Sequence, residues 1–500
     1  MACWVWAWDV LAGFLGLAKY HETVDHPFSP HMLHLPPMNV HAHYKSMLTC
    51  FLSLWVGCQV HGGSTAGVRV GVASVGLDAD DGMPIAGGIH PGKAQGQEGE
   101  LRAVAMVLEK SGVRLALIAV DILMLSREIL DEVTRDIEHR SGIPFEHILI
   151  HATHTHHAPS TLRLHDYQAD PVFTARVHRA IVESVVQAIA QLSDAELNCF
   201  FKMGREDTVG VNSRQLLPDG SIYWIGRREF VRPTGPFDPQ LPVMGFKEEP
   251  TKGSTGNWRA VWFNHSTHTI GTLRSGVRSP SFYGLAAQSL EREWGGKVLF
   301  LEGASGSTHN LHLSAEEAKR RIIQAVDQTL GASQRMLVHR LASIKRSFSY
   351  RVRHFDEAAE QEAVASYCRK WIGPYGLEII PVFESMRATL SSQQGEPRQS
   401  WIQAMAIGEV ALVGVPAEFF TSLGMEIKRR SPFAHTVVAE LSNDWIGYLP
   451  DRQAHQLGGY QVWTGFHSYC EPGTGERMVE EVLDLLDDLH AIVPAWEEKP

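Results

Sequence analysis

Four apolar segments of this 500-residue sequence end abruptly in loops that carry histidine, serine or glutamate. The loops are HATHTHHAP at 151–159, FNHSTHT at 263–269, EGASGSTHN at 302–310 and VPAEFF at 415–420. Short apolar runs bounded by polar loops are typical of buried strands. Ligands of open α/β sheets bind beyond the carboxyl ends of the strands. We therefore expect the four loops to converge on one site, although they are far apart in the sequence.

Strand-like and helix-like segments alternate through the first half of the chain. The segment 101–125 predicts a strand, a turn at Ser111 and Gly112, and a second strand. The segment 126–142 predicts an amphipathic helix, and Ser314 is a candidate cap for a later one. This alternation predicts an α/β fold with a mixed, largely parallel sheet covered by helices. We expect one domain over residues 64–500, with an excursion near 335–400.

Composition narrows the class of protein. Apolar residues make up 44% and charged residues 20%, as in a globular protein with a sizeable core. A net charge of −11 argues against nucleic acid as the partner. The six cysteines are far apart, which predicts neither a cysteine-bound zinc nor a disulfide framework. The 26 histidines are the unusual total, since histidine is the commonest metal ligand.

The first 63 residues differ from the rest in composition. Residues 47–58 combine a nearby lysine, an apolar run and a small residue before Cys58, a layout typical of a secretory or lipoprotein signal. The alternative is an over-long gene start, with Met47 as the true initiator. An exported and a cytoplasmic location both stay open.

The loop residues indicate a metal site. His154 and His156 share one face of an extended segment, His265 and His268 offer a second source of imidazole, and Glu418 follows a strand. Two histidines and a glutamate leave a position for water, as in catalytic zinc sites. The alternative is a set of loop histidines that bind backbone groups.

Several segments resemble the neutral, non-lysosomal ceramidases and their bacterial relatives. The resemblance runs from about residue 68 to residue 492. THTHHAP at 153–159 is similar to the family motif THTHSGP, AVWFNHSTHT resembles the segment with a second zinc histidine, and VALVGVPAEFF resembles the segment with a zinc glutamate. NDWIGYLPDRQAHQLGGYQ at 443–461 resembles the tyrosine-bearing segment.

The resemblance implies one zinc ion per chain and amide hydrolysis by metal-activated water. The zinc ligands that it implies are His154, His265, Glu418 and Tyr448. It places His156 beside the metal, Tyr460 as a second active-site tyrosine and Arg214 against the substrate. His156 or His309 would transfer the proton to the leaving amine.

The chain departs from the family pattern where ceramidases read GDVSPN. In the loop 306–310, Ser307 replaces the aspartate and His309 replaces the active-site serine. We expect no counterpart of the C-terminal β-sandwich domain of full ceramidases. The first hypothesis is a zinc amidase for a small amphiphilic amide such as an N-acyl lipid, with peripheral membrane contact. A metallo-esterase and a non-catalytic zinc-binding relative are the alternatives.

Overall fold

The structure is a computed structural model that describes residues 67–223, 232–248, 256–310 and 313–493. The expected signal segment at 47–58 lies outside these residues. Among the described residues, no helix combines the length and the apolar character needed to cross a bilayer.

The strands are, in chain order, β1 Arg69–Gly76, β2 Arg102–Lys110, β3 Val113–Val120, β4 Ile148–Ala152, β5 Asn198–Arg205, β6 Val211–Asn212, β7 Gln215–Leu216, β8 Ile222–Tyr223, β9 Arg232–Pro233, β10 Gln240–Lys247, β11 Trp258–His265, β12 Lys297–Glu302, β13 Thr308–His309, β14 Gln334–Met336, β15 Leu341–Arg351, β16 Pro397–Ile407, β17 Val410–Gly414, β18 Glu418–Phe419, β19 His435–Ala439 and β20 Tyr448–Leu449.

The helices are α1 Arg127–Ser141, α2 Pro171–Ala190, α3 Ser281–Trp294, α4 Ala315–Gly331, α5 Glu357–Tyr367, α6 Pro374–Leu390, α7 Thr421–Arg430, α8 Arg452–Leu457 and α9 Thr474–Ile492. A π-helical turn at Cys368–Ile372 joins α5 to α6. These two helices lie between β15 and β16, within the range where the sequence predicts an excursion.

Local sequence signals explain several of these boundaries. Ser111 and Gly112 both have positive φ angles and form the tight turn between β2 and β3, as the sequence predicts. The Asp170 side chain accepts a hydrogen bond from the Phe173 amide and so caps α2. Ser314 caps α4 through the Glu317 amide in the same way, which confirms the expected cap.

Three larger sheets make up the fold, with strand orders β1-β2-β3-β4, β12-β11-β10-β5-β14 and β15-β16-β17-β19. The mixed α/β class is confirmed, but the expectation of a largely parallel sheet is wrong. Most neighbouring strands pair antiparallel, and short turns join β2 to β3 and β16 to β17. One pair in each sheet is parallel: β3 with β4, β11 with β12 and β17 with β19.

The three sheets share one apolar core. It includes Val70 and Leu117 from the first sheet, Trp262 from the second and Leu412 from the third, all nearly inaccessible to solvent. Helices cover the other faces: α2 packs on β1 and β2, and α4 packs on β5 and β10. Close packing of this kind fixes the strand ends relative to one another.

The parallel pairs determine where the functional loops meet. His154 and His156 lie in the segment after β4. The loops FNHSTHT and EGASGSTHN lie at the ends of β11 and β12. The short strands β18 and β20 follow β17 and β19. β18 and β20 are themselves parallel neighbours, which places Glu418 opposite Tyr448. Carboxyl ends of parallel strands lie at the same edge, so the loops converge as the sequence predicts.

Candidate metal centre

Two imidazoles of the centre come from the segment that follows β4. His154 is buried and has a φ of +59°, an uncommon backbone conformation for a residue with a side chain. Its Nδ1 lies 3.1 Å from the Leu123 carbonyl oxygen. His156 Nδ1 lies 3.1 Å from the Gly87 carbonyl oxygen. Both rings are therefore held through Nδ1–H donors, which leaves a lone pair on each Nε2.

His268, three residues beyond the end of β11, supplies the third imidazole. Its Nδ1 donates to the Ser305 carbonyl oxygen at 3.0 Å. Each of the three histidines, His154, His156 and His268, offers one ring nitrogen as a ligand atom. These nitrogens lie within 4.8 Å of one another. A metal-binding histidine is usually oriented by a hydrogen bond from its other ring nitrogen, often to a backbone carbonyl oxygen.

Glu418 completes a compact group of donor atoms. Its Oε2 lies 3.5 Å from His154 Nε2 and 3.4 Å from His268 Nε2. The Trp445 indole donates to Oε1 at 3.1 Å and fixes the carboxylate. Four electron-rich atoms gathered in a buried place repel one another unless a cation or a proton lies between them.

The spacing of these atoms fits zinc. Zinc–nitrogen bonds of about 2.0–2.1 Å in a tetrahedral arrangement place two ligand atoms about 3.3 Å apart. Glu418 Oε2 lies at 3.5 Å from His154 Nε2 and at 3.4 Å from His268 Nε2, close to this spacing. The donor set, imidazole with carboxylate, is also the set that zinc prefers in catalytic sites.

Burial controls the charge of each group in the centre. Burial, reinforced by the neighbouring imidazoles, holds the pKa of His156 well below its ordinary value. Burial also lowers the pKa of His268. For Glu418, burial opposes ionisation, but the contacts with His154 and His268 hold the pKa of its carboxyl well below the ordinary value. A carboxylate with neutral imidazoles is the protonation state that binds a metal.

The structure does not bring His265 into this group, and the predicted ligand set is corrected at that position. His265 is the last residue of β11, and its ring points into the protein. One ring nitrogen makes a short hydrogen bond with the Tyr283 hydroxyl, and the other lies 3.0 Å from the Glu206 carbonyl oxygen. His268 lies beside His154 and Glu418 instead.

The two predicted tyrosines lie at the edge of the centre. The Tyr448 hydroxyl is 3.1 Å from His268 Nε2, and burial together with the Glu418 charge raises the pKa of this phenol. The Tyr460 ring packs edge-on against Tyr448, with 5.9 Å between ring centroids. Its hydroxyl lies 3.3 Å from His165 Nε2. The sequence did not predict His165 as a site residue, because it lies in a loop outside the motifs.

Arg214 is buried and holds the segment that carries Tyr460. Its guanidinium donates to the Gln461 side chain at 3.0 Å and to the backbone carbonyls of Ala454 and Gly458. These contacts place it behind the tyrosine segment. A direct contact with the substrate, which the resemblance implies, stays a prediction.

The polar residues of the loop after β12 each have a different contact. The Ser307 hydroxyl accepts from the Thr421 amide at the start of α7, so this serine caps a helix. The His309 ring stacks on His268, with 5.9 Å between centroids. Ser305 is the loop serine nearest the metal centre, with Oγ 3.2 Å from His268 Nδ1. It lay within the predicted loop, but motif alignment pointed to its neighbours.

The remaining histidines of the first loop, His151 and His157, have structural roles. His151 is buried, and its Nε2 accepts from the Glu302 amide at 2.8 Å. His157 Nε2 accepts from the Gly271 amide at 2.8 Å. Both side chains hold loops together around the centre.

A cavity of about 330 Å³ lies beside His156 and His157. Its walls come from the loops around residues 85–94 and 272–277, and mix apolar and polar side chains such as Ile85, Lys93 and Thr272. This volume is within the range of small-molecule sites. His156 is the member of the histidine group that lines the cavity.

Fold and site together define a mixed α/β protein with a buried centre of histidines and a carboxylate where parallel strand pairs end. No family model matches the sequence, and no curated protein matches it. Among solved structures, the chain is similar to neutral ceramidase from Pseudomonas aeruginosa, with 17% identity and a TM-score of 0.66 over 86% of this chain and 75% of that chain. It is similar to a ceramidase complexed with C2, with 17% identity and a TM-score of 0.66 over 87% of this chain and 77% of that chain. The chain therefore has the fold of the bacterial neutral ceramidases, as its motifs indicate.

Proposed function

We propose that this protein is a zinc-dependent hydrolase that cleaves an amide bond in an N-acyl lipid or a related amide. The observation that carries the proposal is the convergence of His154, His156 and His268 with Glu418. Each imidazole is fixed through Nδ1 to a backbone carbonyl, so each presents Nε2 to the same place. A likeness in fold to proteins named ceramidases supports the reaction class.

We assign His154, His268 and Glu418 as zinc ligands, with Tyr448 beside them as the fourth protein group. The ligand distances of 3.4 and 3.5 Å from the Glu418 carboxylate support the first three. The contact of 3.1 Å between Tyr448 and His268 supports the fourth. His156 lines the cavity, so we assign it to the substrate side of the centre.

When bound, zinc supplies a Lewis acid for a carbonyl oxygen and lowers the pKa of a water molecule. The chain supplies the other functions. His156 is neutral because burial lowers its pKa, so it can accept a proton and pass it to the departing amine. Tyr460, near the same centre, can donate a hydrogen bond to the developing oxyanion. The cavity beside His156 would hold the acyl or amine portion of the substrate.

The direct test is hydrolysis by the zinc-loaded protein of matched amide and ester substrates, with a fluorescent N-acyl-sphingosine in the panel. We expect turnover of at least one amide, and loss of that turnover after chelation and its return with added zinc. Zinc binding with cleavage of esters alone would replace the amidase by a metallo-esterase. Zinc binding without cleavage of any substrate in the panel would contradict the hydrolase.

A further inference from the structure

Two carboxyl groups lie directly behind the metal centre, where the proposed chemistry does not use them. Glu302 ends β12 and Glu440 follows β19, and neither side chain is accessible to solvent. Ser305 lies between them, with Oγ 2.6 Å from Glu302 Oε1 and 2.6 Å from Glu440 Oε1. Buried carboxyl groups so close together are rare unless they are hydrogen-bonded and share charge or protons.

The geometry sets the number of protons in this group. Contacts of 2.6 Å between oxygens are hydrogen bonds, and each needs one proton. The Ser305 hydroxyl has one proton and can donate to only one glutamate. The other contact therefore requires that a glutamate is protonated and donates to Ser305. The second lone pair of Oγ faces His268 Nδ1 at 3.2 Å. The one proton and both lone pairs of the hydroxyl therefore each have a partner.

The surrounding donors indicate which glutamate carries the proton. Glu440 Oε2 accepts from the Ser305 amide at 3.0 Å and from the Phe419 amide at 2.7 Å. Glu302 Oε2 faces a single hydroxyl donor, Thr269, at 3.0 Å. Hydrogen bonds from backbone amides stabilise a carboxylate. Burial raises the pKa of both carboxyls well above the ordinary value, but the amides of Ser305 and Phe419 oppose the rise for Glu440.

We propose that Glu302 is a neutral carboxylic acid that donates to Ser305, that Ser305 donates to the Glu440 carboxylate, and that this chain positions the metal ligands. Ser305 holds the His268 ring through its carbonyl and hydroxyl. Glu440 holds the amide of Phe419, the residue after Glu418. Thr269, the residue after His268, donates to Glu302.

The positioning role rests on the proposed function, because it concerns the ligands of the proposed zinc ion. The network touches the segments of His268 and Glu418, which come from different strands. Groups that orient metal ligands in this way typically change metal affinity by about 10–100-fold when they are altered. Neither glutamate contacts the cavity, so both are positioning residues.

Two matched substitutions in the full chain separate the glutamates. In Glu302→Gln, the amide NH2 can replace the acid as donor to Ser305, and its oxygen can accept from Thr269. We expect zinc affinity and kcat/KM within about twofold of the wild type. In Glu440→Gln, the glutamine NH2 would donate to Ser305, and Ser305 would donate to Glu302. The negative charge would then lie on Glu302, which accepts fewer hydrogen bonds than Glu440. We expect a loss of zinc affinity of about 10-fold or more.

Zinc affinity would be measured by competition with a coloured chelator, and thermal unfolding would show that both variants fold. Infrared spectra give a readout that needs neither metal nor substrate. The wild type at neutral pH should show a protonated carboxyl C=O band that disappears in Glu302→Gln. A band that survives in Glu302→Gln and disappears in Glu440→Gln would overturn the proton assignment.

The outcomes separate this inference from the proposed function. Equal loss of zinc affinity in both variants would overturn the proton assignment, and no loss in either would overturn the positioning role. A wild type that binds zinc but cleaves no substrate would contradict the hydrolase and leave the affinity comparison valid. A wild type that binds no zinc would contradict the proposed function and the positioning role, whereas the infrared band would still report the proton.

Discussion

At the scale of single residues, the partner of one ring nitrogen decides what the other can do. His154, His156 and His268 donate through Nδ1 to backbone carbonyls and present Nε2 to the centre. His265 binds Tyr283 and the Glu206 carbonyl through its two nitrogens, and neither nitrogen faces the histidine group of the centre. The same residue type, three positions apart, therefore serves two different purposes.

Gly87 places His156 by leaving room for its ring. A Cβ atom added at Gly87 would lie 2.6 Å from the His156 ring, and the φ of +106° already favours glycine. We predict that Gly87→Ala displaces the ring and lowers kcat/KM by about 10²-fold, because misplacement of a catalytic group by 1 Å has such an effect.

The matched control is Gly82→Ala. Gly82 has a φ of +86°, but a Cβ atom there would meet nothing within 4 Å. It therefore carries the same kind of backbone cost without the clash. Steady-state kinetics of the two variants would check the prediction, and equal activity would show that His156 does not depend on this space.

At the scale of secondary structure, helix caps explain where several segments begin. Asp170 caps α2 with its side chain, whereas Ser126, at the corresponding position of α1, makes no such hydrogen bond. The Arg127 amide at the start of α1 binds the Asp444 carboxylate instead. Ser126 therefore lies at the start of α1, as the sequence predicts, but its side chain does not cap the helix.

We predict that Asp170→Ala lowers the free energy of unfolding by about 1 kcal/mol, the usual value of an N-cap. Ser126→Ala should change it by less than about 0.5 kcal/mol, because no side-chain hydrogen bond is lost. Urea unfolding of both variants, followed by circular dichroism, measures the difference. A larger loss in Ser126→Ala than in Asp170→Ala would contradict the assignment.

The sequence predicted the elements better than their pairing. Apolar runs located β3, β4, β11 and β12, and polar loops after them located the site. Apart from the β2–β3 hairpin, antiparallel pairing within the sheets could not be predicted, because a buried strand has the same apolar pattern in either direction. The choice between His265 and His268 depended on the residue at which β11 ends. The end of a strand can shift by one or two residues without a change in the apolar pattern of the sequence. Ser305, Glu440 and His165 were not predicted as site residues, because their partners come from distant segments.

At the scale of the whole molecule, buried neutral histidines make stability sensitive to acid. Burial lowers the pKa of His151 and His467 to about 3 and that of His165 to about 4. Unfolding returns these imidazoles to an ordinary pKa near 6.5, so the unfolded chain binds more protons below that pH. The stability that they contribute is complete above pH 6.5 and is lost progressively as the pH falls toward 4.

We predict that the free energy of unfolding of the metal-free protein falls by about 2 kcal/mol per histidine between pH 7.5 and pH 5, since each pKa unit is worth about 1.4 kcal/mol. Urea unfolding at the two pH values measures this loss. Use of metal-free protein separates it from the loss of a metal. Equal stability at both pH values would contradict the neutral, buried state of these side chains.

The central claim is that His154, His268 and Glu418 hold a zinc ion beside His156, so that His268, not His265, is a ligand. The measurement that tests it most directly is the zinc content, by mass spectrometry, of the purified wild type, His268→Asn and His265→Asn after equal exposure to the metal. We predict about one zinc per chain in the wild type and in His265→Asn, and almost none in His268→Asn. Zinc retained by His268→Asn, or lost from a folded His265→Asn alone, would contradict the account.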